Sequence, residues 1–333
     1  MRRARRSRTA RVERRTPRKP PTMPNATQIP ADLELRYDDS IATRLVFTLS
    51  FFAKEAVSEL GLPLLDTFTR YRDIVGEDAL RFYATANMSK HRKVTKRALA
   101  MLETWLQPGA ALDDYVFISF EDAEAYNDAP SSLFLLAGAE EVDGERVEDA
   151  TLVRISLPID FAIEDPAQMQ SFAEEIWSTV PFQSGQAGFG LECSRYFLDE
   201  AHEHAYAKSM RHRGLDIPDA VNDATNSGHD HLRGIGWLTF LDDDFTMRLD
   251  GAEAIASNVD AEVSVTKPAR GVVLRAGDRP AFGDVNRKDD LPEYESVFAA
   301  VRPLLVDPSD TPALNLSGDY TGRTEAWLTR FDP

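Results

Sequence analysis

The chain has 333 residues, 43% of them hydrophobic, and a formal net charge of −17 at pH 7. This length allows one large domain or two ordinary ones, and the composition is that of a globular protein with a sizeable core. The sequence lacks an uncharged apolar run of about 18 residues, which excludes a transmembrane helix, and we expect no membrane partner.

The charge is unevenly distributed along the chain. Residues 1–22 hold nine arginines and Lys19 against Glu13 alone, a net charge of +9, and subtracting this from −17 leaves −26 for the remaining residues. An acidic body of this size repels nucleic acid and attracts basic proteins. We therefore expect no nucleic acid partner for the body, although acidity would also serve solubility alone.

Residues 1–30 are predicted to be a disordered basic arm, because like charges repel and five prolines resist regular structure. The alternative is that translation starts at Met23 and the arm is not made. The single cysteine, Cys193, permits no internal disulfide, and the arginine-rich start lacks the apolar core of a secretory signal. These features predict a cytoplasmic protein.

Two spacings predict the first elements. Leu45–Phe52 alternates in the manner of a strand, and Pro63–Val75 has helical spacing, with Gly76 after its last turn. A second helix is predicted to begin in a basic patch and to continue to Trp105. The patch consists of Lys90, His91, Arg92, Lys93, Lys96 and Arg97. A solvated helix face explains it, and so does nucleic-acid binding together with the basic arm.

Three further strands are predicted over Tyr115–Phe120, Ser132–Ala137 and Thr151–Phe161, and their spacing indicates an antiparallel meander. Asp165 and Pro166 are typical of the N-cap and first position of a helix, which Pro181 ends.

The second half is predicted to continue with a glycine-rich strand over Gly185–Leu191 and polar helical turns over Asp199–His212. Residues Asp290–Glu293 have a capping-box pattern that opens the last clear helix. Trp327 and Phe331 are expected to dock from the C-terminal tail.

Acidic connections are the predicted partner-binding sites. One holds Glu121, Asp122 and Glu124 beside Tyr126, and a second holds Glu140, Glu141, Asp143, Glu145, Glu148 and Asp149. A third, Asp242, Asp243 and Asp244, follows the apolar run at Trp237–Leu241. Carboxylates complement the basic surface of a nuclease, and tight interfaces add aromatic anchors, for which Tyr126 is the candidate. Ordinary solvent exposure is the alternative for each loop.

Four histidines offer a different function. His202, His204, His229 and His231 could bind zinc or a similar ion in a metal-dependent enzyme. Positions i and i+2 do not share a helix face, however, so the spacing favours solvated surface residues.

An ordered series of motifs carries a family resemblance. Its members are Gly236, Trp237, Leu238, Gly277, Gly283, Asp284 and Asn286, preceded by Pro181–Gly188 and Arg213–Asp216. The series resembles the type VI immunity family of TsiV-like proteins over roughly residues 32–306. The resemblance implies a protein that binds and neutralises a secreted effector toxin, and it implies no catalytic site and no cofactor. The acidic body and the missing export signal suggest a nuclease toxin that acts in the cytoplasm.

The predicted fold class is α+β, with mostly antiparallel sheet packed by helices. The strand–helix order recurs near 45–120 and 151–241, which suggests two related halves. The arm at 1–30, an immunity domain at 31–306 and a tail at 307–333 form the expected domain plan. The role of the Gly283–Arg287 loop stays open between turn formation and partner contact.

Overall fold

The computed structural model describes residues 29–142, 145–146, 150–219, 230–307, 314, 316 and 320–332. Most of the predicted basic arm, together with Asp143, Glu148, Asp149 and His229, lies outside the described residues.

Thirteen strands occur in the described part of the chain. They are β1 (Leu35–Tyr37), β2 (Ser40–Ala53), β3 (Phe82–Thr85), β4 (Arg92–Lys93), β5 (Tyr115–Glu121), β6 (Leu133–Ala139), β7 (Glu141–Val142), β8 (Glu145–Arg146), β9 (Thr151–Pro158), β10 (Ser184–Cys193), β11 (Leu238–Leu241), β12 (Val263–Thr266) and β13 (Val272–Ala276). Eleven of them form one sheet in the order β12-β13-β11-β10-β2-β9-β6-β5-β3-β4, and β1 pairs with β2 outside this path. Strands β7 and β8 form a separate hairpin.

Ten α-helices lie among the described residues. They are α1 (Val57–Leu60), α2 (Leu62–Val75), α3 (Lys96–Trp105), α4 (Ile159–Glu164), α5 (Pro166–Thr179), α6 (Leu198–Arg211), α7 (Asp243–Arg248), α8 (Ala252–Asn258), α9 (Pro292–Val301) and α10 (Tyr320–Leu328). Every pairing between these strands is antiparallel. The α+β prediction with a mostly antiparallel sheet is therefore confirmed.

The centre of the sheet is the pairing of β2 with β10, which runs from Ser184 opposite Phe52 to Cys193 opposite Thr43. Alternation along β2 places Phe47, Leu49 and Phe51 on the face that packs against helices, in the main hydrophobic core. The opposite face carries a smaller apolar cluster and several buried polar side chains. The apolar cluster consists of Phe52, Ala84, Phe117, Leu133, Leu135, Ala137, Ala150 and Leu152.

The motif glycines are places of close backbone approach. A Cβ on Gly236 would lie 2.5 Å from the carbonyl oxygen of Ala187 in β10. The next motif residue, Trp237, is fully buried, and its indole N–H donates to the Gly277 carbonyl at 3.1 Å. Gly236 and Trp237 thus join the start of β11 to β10 and to the end of β13.

Several element predictions are confirmed. Helix α2 spans Leu62–Val75, and the Asp165 carboxylate caps α5 by accepting from the Gln168 amide at 2.9 Å. Trp327 and Phe331 are buried, as expected of a docked tail.

Three boundaries differ from prediction. Residues Arg92 and Lys93 form a strand that pairs with β3 at the edge of the sheet. Because the first part of the basic patch is in this strand, the helix begins only at Lys96, where Thr95 caps it. Pro158 ends β9, since proline cannot continue the ladder, and Ile159 starts α4. The prediction of a capping box at Asp290 is wrong, because Leu291 is the N-cap of α9 and its side chain forms no capping hydrogen bond.

Candidate partner-binding surface

Three segments meet at one margin of the sheet: the β1–β2 turn, the loop after β5 and the segment after β10. The Ser194 hydroxyl donates to the carbonyl of Asn127 at 2.6 Å, and the Asn127 amide donates to the hydroxyl of Ser40 at 2.7 Å. The Asp128 carboxylate accepts from the amides of Ile41 and Ala125 at 2.9 and 3.1 Å. These bonds give the β5 loop a fixed position against β2 and β10.

We call the exposed part of this margin the aromatic–acidic edge, and it consists of Tyr37, Asp38, Asp39, Glu124 and Tyr126. Tyr37 and Tyr126 expose 39% and 43% of their surface, and the three acidic residues are exposed as well. Asp38 and Asp39 have φ values of 48° and 69°, as a two-residue type I′ hairpin turn requires. The fold therefore presents carboxylates beside aromatic rings.

Both tyrosines pack against an aromatic side chain of the segment after β10. Tyr126 meets Tyr196 edge to face, with ring centroids 5.2 Å apart, and Tyr37 lies 5.3 Å from the ring of Phe197. Held aromatic side chains lose little conformational entropy on binding, which suits them as anchors.

In the first acidic loop, some of the predicted contact residues stabilise the fold and others are exposed. The Asp122 carboxylate accepts four hydrogen bonds, from the amides and hydroxyls of Ser131 and Ser132, at 2.6–2.9 Å. Glu121 is only 4% exposed and belongs to the interior. Of the predicted contact residues in this loop, Glu124 and Tyr126 are the ones that the structure leaves open to a partner.

Glu121 contacts His91, with Oε2 and Nε2 3.5 Å apart. Burial raises the pKa of Glu121 to about 8 and lowers the pKa of His91 to about 4. The backbone N–H of His91 donates to the Tyr196 hydroxyl, which leaves that hydroxyl proton free to reach Nδ1 at 3.2 Å. The ring is then neutral with its proton on Nε2, directed at Glu121.

A second buried group lies on the same face of the sheet. Arg154 of β9 is 6% exposed and reaches Glu192 of β10 across β2, with its Nε and Nη2 each 3.4 Å from a carboxylate oxygen. The Ser156 hydroxyl donates to the same carboxylate, at 2.5 Å from Glu192 Oε1. Sequence reasoning missed Arg154 and Glu192. The available signal was a charged residue between Val153 and Ile155, in an otherwise uncharged strand.

Several of the other predicted acidic residues have structural partners among the described residues. Glu140 accepts from the Ser58 amide at 3.0 Å, and Glu141 and Glu145 belong to the β7–β8 hairpin. Three aspartates surround the start of α7: Asp242 caps it at Phe245, Asp243 accepts from the Gly271 amide at 2.9 Å, and Asp244 lies 3.7 Å from Lys54. Asp243 and Asp244 are also exposed.

The Gly283–Arg287 loop is tied to α6. Asp284 accepts two hydrogen bonds from Arg211, at 3.1 and 2.9 Å, and one from the Asn286 amide at 3.0 Å. The Arg211 guanidinium lowers the pKa of Asp284 to about 2. His212 Nδ1 contacts the Gly283 carbonyl at 2.7 Å. The motif residue Asp284 therefore orders this loop, and Asn286 contributes its backbone amide.

The three predicted metal ligands that the structure describes, His202, His204 and His231, do not gather. His202 is buried in α6, 4.0 Å from Asp219, whereas His204 Nε2 contacts the Leu33 carbonyl at 3.2 Å and His231 is exposed. Among the described residues, no three metal-capable side chains form a cluster. None of the described helices has the length and apolarity needed to cross a membrane.

Comparisons with known proteins identify a family and a shared fold. A family model described as TsiV, type VI immunity for VRR-NUC, matches residues 63–331. Among solved structures, the chain is similar to the Pseudomonas aeruginosa T6SS protein PA0821, with a TM-score of 0.77 and 18% identity over 90% of this chain and 88% of that one. At this identity the structural likeness shows a shared fold. No curated protein matches the sequence.

Proposed function

Because the chain belongs to the family of type VI immunity proteins for VRR-NUC, we propose that it binds a VRR-NUC nuclease effector and blocks it stoichiometrically, without turnover. The observation that carries this proposal is the family match over residues 63–331. The effector would act on nucleic acid in the cytoplasm, and the immunity protein would meet it there.

The proposed mechanism is occlusion of the surface that the nuclease offers to nucleic acid. Such a surface presents cations to phosphates. The net charge of −26 outside residues 1–22 attracts it, and the carboxylates of Asp38, Asp39 and Glu124 supply local competitors for those cations. Tyr37 and Tyr126 would anchor the contact.

The predicted contacts elsewhere stay predictions. They comprise Glu140, Glu141, Asp143, Glu145, Asp242, Asp243 and Asp244. We favour the aromatic–acidic edge, because its carboxylates flank two exposed aromatic rings and cap none of the described helices.

Co-expression with the effector encoded beside this gene tests the function. Cell survival together with a one-to-one complex would support it, and survival without any complex would contradict stoichiometric blocking. Killing in the presence of well-folded immunity protein would contradict neutralisation of that effector.

The binding surface has its own test. Tyr126→Ala should weaken the complex about 30-fold or more if Tyr126 is an anchor, since such residues contribute about 2 kcal/mol or more. Reversing Asp38, Asp39 and Glu124 to lysine should lower the association rate and flatten its salt dependence. For each of these reversals made singly, Glu262→Lys is the matched control, because Glu262 is exposed beside β12 at the far end of the sheet. Equal affinities for the edge and control variants would place the interface elsewhere.

A further inference from the structure

Beside the aromatic–acidic edge, two cavities share a wall formed by His91, Arg195 and Tyr196. The inner cavity, which Tyr126 also lines, has a volume of about 20 Å³. A single water molecule requires about 10–15 Å³, so the inner cavity suits one water. The outer cavity has a volume of about 110 Å³, which is room for a carboxylate or phosphate group with hydration water.

The outer cavity is lined by hydrogen-bond donors and positive charge. Lys90 and Arg195 form its wall together with the hydroxyl-bearing side chains of Ser89 and Tyr196. Among the described residues, no carboxylate lines this cavity, and neither Lys90 nor Arg195 forms an ion pair. Such a concentration of uncompensated cations stands out in a body that carries −26.

The packing of Arg195 keeps its charge available. Its guanidinium lies 4.7 Å from the centroid of the Phe117 ring, a cation–π contact that positions the group without neutralising it. Arg195 is exposed at the surface, and desolvation of its packed part lowers its pKa, but an arginine remains protonated at physiological pH.

The inner wall does not cancel this charge. Glu121 and His91 share one proton near neutral pH, so the pair has no net charge whichever residue holds it. Arg154 is balanced by Glu192, and its Nη1 is buried without a hydrogen-bond partner in the described part of the chain, as is Glu121 Oε1. None of these groups places a carboxylate in the outer cavity opposite Lys90 and Arg195.

We propose that the outer cavity is an oxyanion site that holds one carboxylate or phosphate group between Lys90 and Arg195. The group has two possible sources, a free phosphate or an acidic side chain of the effector, and the second source rests on the proposed function. The cavity adjoins Tyr126 through Tyr196, so a partner at the aromatic–acidic edge could place an acidic side chain in it.

The first test needs only the purified full-length chain. Inorganic phosphate, and separately acetate, is titrated at constant ionic strength while the midpoint of urea unfolding is followed, because a ligand of the native state raises stability in a saturable way. The Lys90→Ala/Arg195→Ala variant should bind phosphate about tenfold more weakly or worse. It also supplies the baseline for the general stabilisation that phosphate exerts by exclusion from protein surfaces.

Two further variants separate the site from its surroundings. Arg195→Lys keeps the charge and should retain part of the binding, which would show that the double variant loses binding through its missing cations and not through lower stability. Lys93→Ala removes a cation of the same basic patch that does not line the cavity, and it should bind phosphate like the wild type. An identical anion response in wild type and double variant would overturn the proposal, as would equal losses in Lys93→Ala and the double variant.

The effector complex then distinguishes the two sources. Competition between phosphate and effector at constant ionic strength, lost in the double variant, would support an effector carboxylate in the cavity. Saturable phosphate binding without competition would support a free anion as the ligand. Because the first test omits the effector, failure of the oxyanion site and failure of the immunity function are separately visible.

Discussion

Replacing Glu121 by glutamine should remove a loss of stability that the wild type suffers as the pH rises towards 8. The folded state raises the pKa of this carboxyl from 4.5 to about 8, through burial. Between those values the unfolded chain has released a proton that the native state still holds. The native state then binds more protons, so the free energy of unfolding falls with rising pH.

His91 acts in the opposite direction at lower pH. Burial lowers its pKa from 6.5 to about 4, so that the unfolded chain binds the extra proton and stability rises with pH over that interval. The two effects oppose each other between pH 4.5 and 6.5, and Glu121 acts alone from 6.5 to 8. At about 1.36 kcal/mol per pH unit, this interval of about 1.5 units costs the wild type about 2 kcal/mol.

Urea unfolding followed by tryptophan fluorescence at pH 6.5 and 8 measures the difference. Glu121→Gln keeps the shape of the protonated carboxyl and cannot ionise, so its free energy of unfolding should fall by about 2 kcal/mol less than that of the wild type. Glu124→Gln, in the exposed part of the same loop, is the matched control and should retain the wild-type pH dependence. Parallel pH profiles for the wild type and Glu121→Gln would show that the native carboxyl is ionised, and would refute the reasoning.

Three other substitutions test the framework around the site by urea unfolding. Gly236→Ala should destabilise the protein by about 2–4 kcal/mol, because a Cβ 2.5 Å from the Ala187 carbonyl oxygen forces the start of β11 away from β10. Gly234→Ala is the control and should cost much less, since its Cβ would meet only a side-chain oxygen at 3.2 Å. Asp122→Ala should cost about 2–3 kcal/mol by leaving the amides of Ser131 and Ser132 without their acceptor, and a loss below 0.5 kcal/mol would contradict that role. Asp165→Ala should cost about 1 kcal/mol as the loss of a helix cap, and Asp165→Asn should restore most of it.

Local patterns suffice where an element is decided by its own residues. The helical spacing of α2 and the Asp165–Pro166 start of α5 are readable because the apolar stripe and the cap are both local signals. The motif series around Gly236 and Trp237 also predicted the family, which the match over residues 63–331 confirms.

Sequence patterns fail where distant pairing decides the outcome. Arg92 and Lys93 become a strand only because β3 lies beside them, and nothing in the basic patch itself indicates that neighbour. Alternation along β9 places Arg154 on the face opposite Val153, but its contact with Glu192 requires that β2 separate β9 from β10. For the same reason the burial of Glu121 could not be predicted, because it depends on His91 and on the segment at Arg195 and Tyr196.

The placement of opposite charges bears on how specificity could arise. An acidic surface alone attracts any basic nuclease, since long-range attraction depends mainly on net charge. The aromatic–acidic edge contacts Tyr196 through Tyr126, and Tyr196 also lines the cavity that holds Lys90 and Arg195, so a partner in the proposed mode must offer cations and an oxyanion at neighbouring positions. A basic protein without the acidic group would leave two cations facing its own, a repulsion that discriminates against it. Removing Lys90 and Arg195 should therefore weaken binding of the cognate effector while strengthening binding of unrelated basic nucleases, and parallel losses for both classes would contradict this role.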